Sequence, residues 1–390
     1  MQSSDHSNGT PDWEAFRSKM PVAQQMVYLD HASVAPITGP ACDAVVAWAE
    51  EAACKGASVW SQWDQRVEGT RQSAARLINA SEDEIALVKN TTAGICLVAE
   101  GFPWQPGDNV VTLANEFPSN LYPWMNLESR GVETRRVAVD DGRVDLDRLA
   151  AACDERTRIV AVSWVGYASG WRNDVDQLVQ LAHDRGALLF LDAIQGLGVF
   201  PLDVSQTEVD FLAADGHKWL LGPEGAGVFY IRREHLDRLH PWGVGWHSVV
   251  HSADFDHIEL NLKPTAGRFE GGTENMVGNI GLRESLELLI SLGTANVADR
   301  ILHITDVASE RLSAAGATLY TLREGEHRSG IVSFVWPGNM RVLREQLQRQ
   351  NVLLSYRGGR LRISPHAYNN EDDLDRLIEG LQEFRLHPSC

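Results

Sequence analysis

Asp215-Gly216-His217-Lys218-Trp219-Leu220-Leu221-Gly222-Pro223 places one lysine inside an apolar, glycine-punctuated segment, shortly after Leu191-Asp192-Ala193-Ile194-Gln195. An amine attacks a carbonyl only when unprotonated, and burial or a neighbouring cation lowers a lysine pKa toward that state. Lysines are scarce here: Lys19, Lys55, Lys89, Lys218 and Lys263 are the whole set. Lys19 sits near the polar N-terminus, Lys55 in a helix-like stretch and Lys263 before a proline, all ordinary settings. Lys89, at the end of Glu84-Ile85-Ala86-Leu87-Val88, is the one competitor, and its surroundings favour it less than those of Lys218.

Around this segment, short apolar runs that read as buried strands alternate with amphipathic helical stretches, the pattern of a mostly parallel sheet covered by helices. Strands are expected at 84–90, 109–115, 133–139, 158–165, 187–192, 209–214 and 227–232, and helices at 92–100, 120–130, 145–153 and 175–185. After Gly272 the texture changes to helices at 279–292, 298–315 and 340–350 with strands at 331–336 and 360–364. The expected class is therefore α/β: a large domain over 20–288, a smaller C-terminal α+β domain over 289–390, and an N-terminal segment, 1–19, packing with the small domain.

Length and composition agree with a large soluble fold of ordinary makeup, with 390 residues, 44% hydrophobic and 23% charged. The 53 acidic residues against 35 basic give a formal charge of −18, which argues against nucleic acid or an anionic membrane as partner. Cys42, Cys54, Cys96, Cys153 and Cys390 show neither CxxC pairing nor metal-ligand spacing, so no metal is expected and a reducing, cytoplasmic setting is. The polar start of the chain lacks a secretory leader, and no apolar run reaches the length of a membrane span.

In open α/β sheets functional groups gather at the carboxyl ends of strands. Asp192 ends one strand, Asn90-Thr91-Thr92 ends another and opens a helix, Glu116-Phe117-Pro118-Ser119-Asn120 follows a third, and Lys218 lies beyond a fourth. Free amides at a helix start suit a phosphate, and an aspartate at a pocket base suits a protonated ring nitrogen. Pyridoxal phosphate needs this set: an amine, an acid opposite the pyridine nitrogen, phosphate donors and a flat stacking side chain. Each residue also has a plainer role. Asp192 can cap a strand, Thr91 and Thr92 can cap a helix, His217 can sit satisfied in a core, and Phe117 and Trp246 can simply pack.

From Tyr28-Leu29-Asp30-His31-Ala32 to Arg362-Ile363-Ser364 the chain resembles the class V branch of the fold-type I pyridoxal-phosphate enzymes, the superfamily of cysteine desulfurases, selenocysteine lyases, isopenicillin N epimerase-like proteins and kynureninases. The resemblance implies that Lys218 forms the cofactor's Schiff base, Asp192 partners the pyridinium and Gln195 bonds the ring hydroxyl. It implies that Thr91, Thr92 and His217 serve the phosphate, and that Thr273 in Arg268-Phe269-Glu270-Gly271-Gly272-Thr273 reaches the phosphate of a neighbouring subunit in a homodimer with shared sites. Arg362 matches the arginine that anchors a substrate carboxylate, a task suited to a planar fork of donors.

Four departures from the desulfurase pattern bear on the reaction. Phe117 stands where a stacking histidine is usual, Tyr167 where an asparagine is common, and Asp215 where a serine binds phosphate, so backbone contact is expected at Asp215. The fourth is that Leu354-Ser355-Tyr356-Arg357-Gly358-Gly359-Arg360 runs directly into the Arg362 strand without the persulfide-forming cysteine. Arg357 reads as a surface charge, Arg360 shares a face with Arg362, and Trp246 is a weak site candidate. The implied function is a C–S lyase or desulfurase-like elimination on a small α-amino acid, with transamination and epimerisation open as alternatives. A nucleotide-dependent enzyme is disfavoured because neither GxGxxG after a strand nor GxxxxGK[ST] occurs. A catalytically silent scaffold is disfavoured by the joint presence of lysine, acid and carboxylate anchor.

Overall fold

A computed structural model describes residues 11–386. In chain order the strands are β1 (Val27–Tyr28), β2 (Ile85–Val88), β3 (Asn109–Leu113), β4 (Glu133–Val137), β5 (Thr157–Ser163), β6 (Leu188–Asp192), β7 (Phe211–Asp215), β8 (Gly227–Ile231), β9 (Thr318–Leu319), β10 (Val332–Val335), β11 (Val352–Leu353), β12 (Ser355–Arg357) and β13 (Arg360–Ile363). Seven of them form the central sheet in the order β2-β8-β7-β6-β5-β3-β4, and only β8 runs against the rest. The α/β class with a mostly parallel sheet is thus what the alternation of strands and helices led one to expect.

Side-chain alternation splits the central strands between two cores. Val160, Val162, Leu189, Leu191, Leu212 and Ala214 face one, which is roofed by the helices Gly39–Lys55, Trp60–Ile78 and Met276–Leu292. Ile159, Ala161, Phe190, Phe211 and Ala213 face the other, where Ile95, Leu97 and Val98 of helix Thr91–Gly101 pack. That helix approaches β7 closely because residue 94 is glycine; a Cβ there would lie 2.6 Å from the Ala213 Cβ. The close approach holds the helix start beside the end of β7, where Lys218 follows.

The expected helix over 120–130 is broken. A 3₁₀ turn at Pro118–Asn120, one α turn at Tyr122–Met125 and a second 3₁₀ stretch at Asn126–Arg130 replace it. Pro118 and Pro123 lack the N–H that a continuous ladder needs.

The C-terminal part is an antiparallel sheet, β12-β13-β10-β9, with its own core of Phe334, Trp336, Leu347, Leu361, Leu377 and Leu381. Helices Thr294–Ala315, Met340–Arg349 and Glu371–Leu386 supply its other walls. The helix Met276–Leu292 spans the residue-288 boundary drawn from the sequence, and the chain breaks at Gly293 (φ +78°). β1 pairs in parallel with β11, so residues near the N-terminus join the C-terminal part. Of the N-terminal segment, residues 1–10 lie outside the described part; in helix Trp13–Ser18, Phe16 packs edge-on against Tyr368 and Arg17 pairs with Asp373 at 2.8 Å.

Candidate active site

Lys218 sits on a turn just past β7, closed by a hydrogen bond from Leu221 N to Lys218 O at 3.0 Å. Leu221 takes a left-handed φ of +57°, a conformation that costs a non-glycine residue roughly 1–2 kcal/mol. Its carbonyl accepts from Ser285 Oγ at 2.7 Å, which helps hold it there. The lysine is 8% exposed, whereas Lys89 is on the surface. Burial pulls the Lys218 amine down to about 8, outweighing the carboxylates of Asp192 and Asp215, while Arg362 and Arg357 add to the pull. Its Nζ lies 5.6 Å from the centre of the Phe117 ring, which meets Tyr167 edge-on at 5.3 Å.

Asp192 ends β6, flanked by Ser163 of β5 and Ala213 of β7. Desolvation pushes its carboxyl up to about 6, against a hydrogen bond from Ile194 N and the attraction of Lys218. A second buried carboxyl, Glu116, lies alongside. Burial pushes it up to about 7, and Asp192 adds to the shift although Ser163 donates to it from both its backbone N and its hydroxyl. The sequence reading assigned Glu116 no role; its signal was an acid at a strand end next to an aromatic residue.

At the helix start, Asn90 Oδ1 accepts from Ala93 N, and the first-turn amides of Thr91 and Thr92 have no partner within the helix. Thr91 Oγ1 accepts from Asp215 N at 3.0 Å and Thr92 Oγ1 donates to Ser119 Oγ at 2.8 Å. The backbone N–H of Asp215, expected to be free for phosphate, is therefore already used. His217 Nδ1 lies 3.0 Å from Asp215 Oδ2 without the angle of a hydrogen bond, and Asp215 Oδ1 is buried with no partner. Gln195 holds the Ala32 carbonyl at 3.0 Å and the Trp219 indole N–H at 2.7 Å, leaving one amide hydrogen for a ligand.

Arg362 is 1% exposed and ties three distant parts of the chain together. It donates to Ser355 Oγ (3.1 Å), the Tyr167 carbonyl (2.7 Å), Ser33 Oγ (2.9 Å) and Asp30 Oδ1 (3.5 Å). Asp30, Ser33 and Arg357 were missed as site residues, because only folding carries residues 30–33 beside β13. Arg360 is engaged by an aromatic ring, its guanidinium stacked 3.4 Å from the Tyr320 ring centre. Behind Lys218, His31 bonds Ser364 O (2.8 Å) and the Tyr368 hydroxyl (2.9 Å) and stacks on Trp219. His366 completes this floor, and its burial draws it down to about 4, so it is neutral.

Trp246 and Thr273 do not join this constellation. They line a separate depression with Trp60, His247 and Glu274. Beside Thr273, Arg71 grips Glu270 through both oxygens, and the same carboxylate accepts from Leu87 N. Burial beside that anion raises the Glu274 carboxyl well above the usual range. His247, Glu270 and Glu274 approach one another closely, but Glu270 has committed its oxygens to Arg71 and Leu87.

A buried amine under an aromatic ring, a buried carboxyl near it, free first-turn amides beside an orphaned polar pair, and a buried guanidinium make a donor set that fits pyridoxal phosphate. A family model described as aminotransferase class V matches residues 27–377. The chain belongs to that family. It is 32% identical over 395 residues to a probable cysteine desulfurase of Methanothermobacter thermautotrophicus, covering 95% of this chain and 98% of the relative. It is 31% identical over 347 residues to a cysteine desulfurase of Escherichia coli, covering 84% of each. The solved apo structure of a cysteine desulfurase from Thermococcus onnurineus superposes with a TM-score of 0.86 at 26% identity, covering 95% of this chain and 97% of that one. This class V enzyme is accordingly desulfurase-like and pyridoxal-phosphate dependent. No helix among the described residues is long and apolar enough to cross a membrane.

Two outcomes follow for the class V enzyme. Because the Asp192 carboxyl rises from 3.8 to about 6 on folding, the native state holds its proton more tightly, and stability is lost as pH rises through that window. Asp192→Asn should therefore stabilise the apoprotein by on the order of 1–3 kcal/mol at neutral pH while abolishing turnover. Apoprotein melts from pH 4 to pH 7 should show the gap opening up to about 6 and then staying level; a gap independent of pH would refute a buried charge. Because the Lys218 amine is drawn down to about 8, capture of pyridoxal phosphate by apoprotein should speed up about tenfold per pH unit below that value and level off above it. Stopped-flow absorbance reads this, and a flat profile would mean the amine is not desolvated.

Proposed function

We propose that this enzyme cleaves the Cβ–S bond of a cysteine-type amino acid by direct elimination, without a persulfide-forming thiol of its own. The observation that supports it most is the join between β12 and β13. Only Gly358 and Gly359, at φ +53° and +80°, separate the strands, so the segment beside Arg362 is a tight hairpin with no loop and no cysteine. Elsewhere Cys42 and Cys54 are exposed in the helix Gly39–Lys55, Cys96 lies in helix Thr91–Gly101 and Cys153 is buried; Cys390 lies outside the described residues.

Thr91 and Thr92 would hold the cofactor's phosphate, Phe117 would cover its ring and Asp192 would meet its nitrogen. Bound there, the cofactor supplies an electron sink for the α-carbon and a point of attachment for an amine. Arg362, with one Nη1 hydrogen not bonded within the chain, would anchor the substrate carboxylate. The Lys218 amine, its pKa drawn down to about 8 by burial, would accept the α-proton. Facing a cationic ring N–H, Asp192 would be held in its ionised form and would keep that proton in place. The Cβ–S bond then breaks with its electron pair leaving on sulfur as hydrosulfide, and the three-carbon fragment departs as 2-aminoacrylate, which water converts to pyruvate and ammonia. Aminotransferase and epimerase readings share the proton abstraction and differ in product, a keto acid in one case and the mirror-image amino acid in the other.

A variant with all five cysteines replaced by serine or alanine should release sulfide and pyruvate from L-cysteine at no less than about half the original rate, whereas Lys218→Ala should lose at least 10³-fold, the scale of removing a covalent and proton-transferring group. Sulfide release that vanishes in the cysteine-free variant would sink the thiol-independent mechanism.

The active unit proposed is a homodimer with shared sites. Thr273 and Trp246 lie apart from Lys218 within the chain, and Trp242, Phe255, Ile258 and Leu260 form an exposed apolar stretch close to them in sequence. Such a patch on a soluble chain calls for a covering surface. Sedimentation should give a dimer at micromolar concentration, with Ile258→Asp plus Leu260→Asp giving a monomer that retains pyridoxal phosphate poorly; a fully active monomer would exclude shared sites.

A further inference from the structure

The hairpin that carries Arg362 carries two more arginines on the same face. Its register pairs Arg357 with Arg360 and Ser355 with Arg362 across the strands, and alternation puts all four side chains on one side. Two of the three cations are engaged. Arg360 lies over the Tyr320 ring and donates to Gly358 O at 3.2 Å. Arg362 is buried against Tyr167 O, Ser355, Ser33 and Asp30.

Arg357 has no acidic partner among the described residues. Its hydrogen bond goes to Ser33 Oγ at 3.4 Å, the same hydroxyl that Arg362 meets at 2.9 Å. Two guanidinium groups that share one hydroxyl repel each other, and Nε and Nη1 of Arg357 make no hydrogen bond and stay available to an incoming group. The side chain is exposed, while the hairpin that holds it is closed by the shortest of turns. A fixed, unpaired, forked cation next to the carboxylate anchor has the chemistry of a receiver for another carboxylate.

We propose that Arg357 binds a second carboxylate on the substrate, so that the preferred class is cysteine S-conjugates whose sulfur substituent bears a carboxylate. This rests on the reading of the Lys218 pocket as a C–S cleaving site. Arg362 takes the α-carboxylate and Arg357 the distal one. When the Cβ–S bond breaks, its electron pair stays on sulfur and the substituent leaves as a thiolate that keeps its carboxylate.

The test uses holoenzyme and two amino acids that lack an α-proton, so that binding is read without turnover: α-methylglutamate, with a distal carboxylate, and isovaline, without one. Calorimetric titration should give α-methylglutamate at least about tenfold tighter than isovaline, and Arg357→Ala should shrink that preference at least about tenfold, the scale of one lost charge-assisted contact. Arg357→Lys should keep part of it, and the variant's binding of isovaline reports that it is folded. Equal affinity for the two ligands in the unaltered enzyme would overturn the proposal. So would an Arg357→Ala loss of the same size for both, which would mean that the two arginines clamp a single carboxylate. Failure of the elimination reading shows up separately, as absence of sulfur products from any cysteine derivative, because the preference is measured with no C–S bond present.

Discussion

The buried guanidinium of Arg362 is the constraint on which the arrangement rests. A charged fork taken out of water must find partners for its donors or lose several kcal/mol. Here those partners come from Asp30 and Ser33 near the N-terminus, the carbonyl after β5 at Tyr167, and Ser355 on the neighbouring strand. Satisfying one side chain therefore draws together residues 30–33, the end of the central sheet and the C-terminal hairpin. The parallel pairing of β1 with β11 and the bridge between Asp30 and Ser364 act in the same direction. The surface that faces a substrate is a by-product of this stitching.

Opposite that surface, desolvation governs three ionisable groups at once. Lys218 is pulled down, and Asp192 and Glu116 are pushed up, each toward neutrality. None of these shifts helps an empty protein, since each signals a charged form held at a loss. On the proposed reading they would become useful when a phosphorylated aromatic cation with an aldehyde arrives, because the amine would then be ready to attack and the carboxyl would gain a donor. The strained φ at Leu221, fixed by Ser285, is consistent with a turn kept for where it puts the lysine.

The central sheet was legible in the sequence because its strands, the polar edge strand β4 apart, are apolar runs separated by helical stretches. Lys218, Asp192 and the Thr91 turn were legible for a related reason: each stands at the end of such a run. The helix expected over 120–130 proved broken, and Pro118 and Pro123 stand where its pieces begin. What could not be read were contacts between distant segments. Ser33 and Arg357 acquire meaning only through the register that sets β12 on β13 and the bridge that sets residue 30 against residue 364. Arg360 and Arg362 share a face by alternation, and only the placement of Tyr320, just past β9 and bonded to Ser333 of β10, shows that Arg360 lies over an aromatic ring. Thr273, expected to serve a neighbouring subunit, and Trp246, a weak candidate from the start, line a depression of their own within the chain.

The two-glycine tip between β12 and β13 has a bearing on what becomes of the atom that is cut loose. Carrying a cargo away on a side chain requires slack, a stretch of backbone able to swing from the place of pickup to the place of delivery. A strand that reverses within two residues has none, and its side chains stay where the sheet puts them. Under the thiol-independent elimination proposed above, whatever leaves the substrate at this spot would travel by diffusion, and its fate would be decided by the surrounding solution and by whatever else competes for it there.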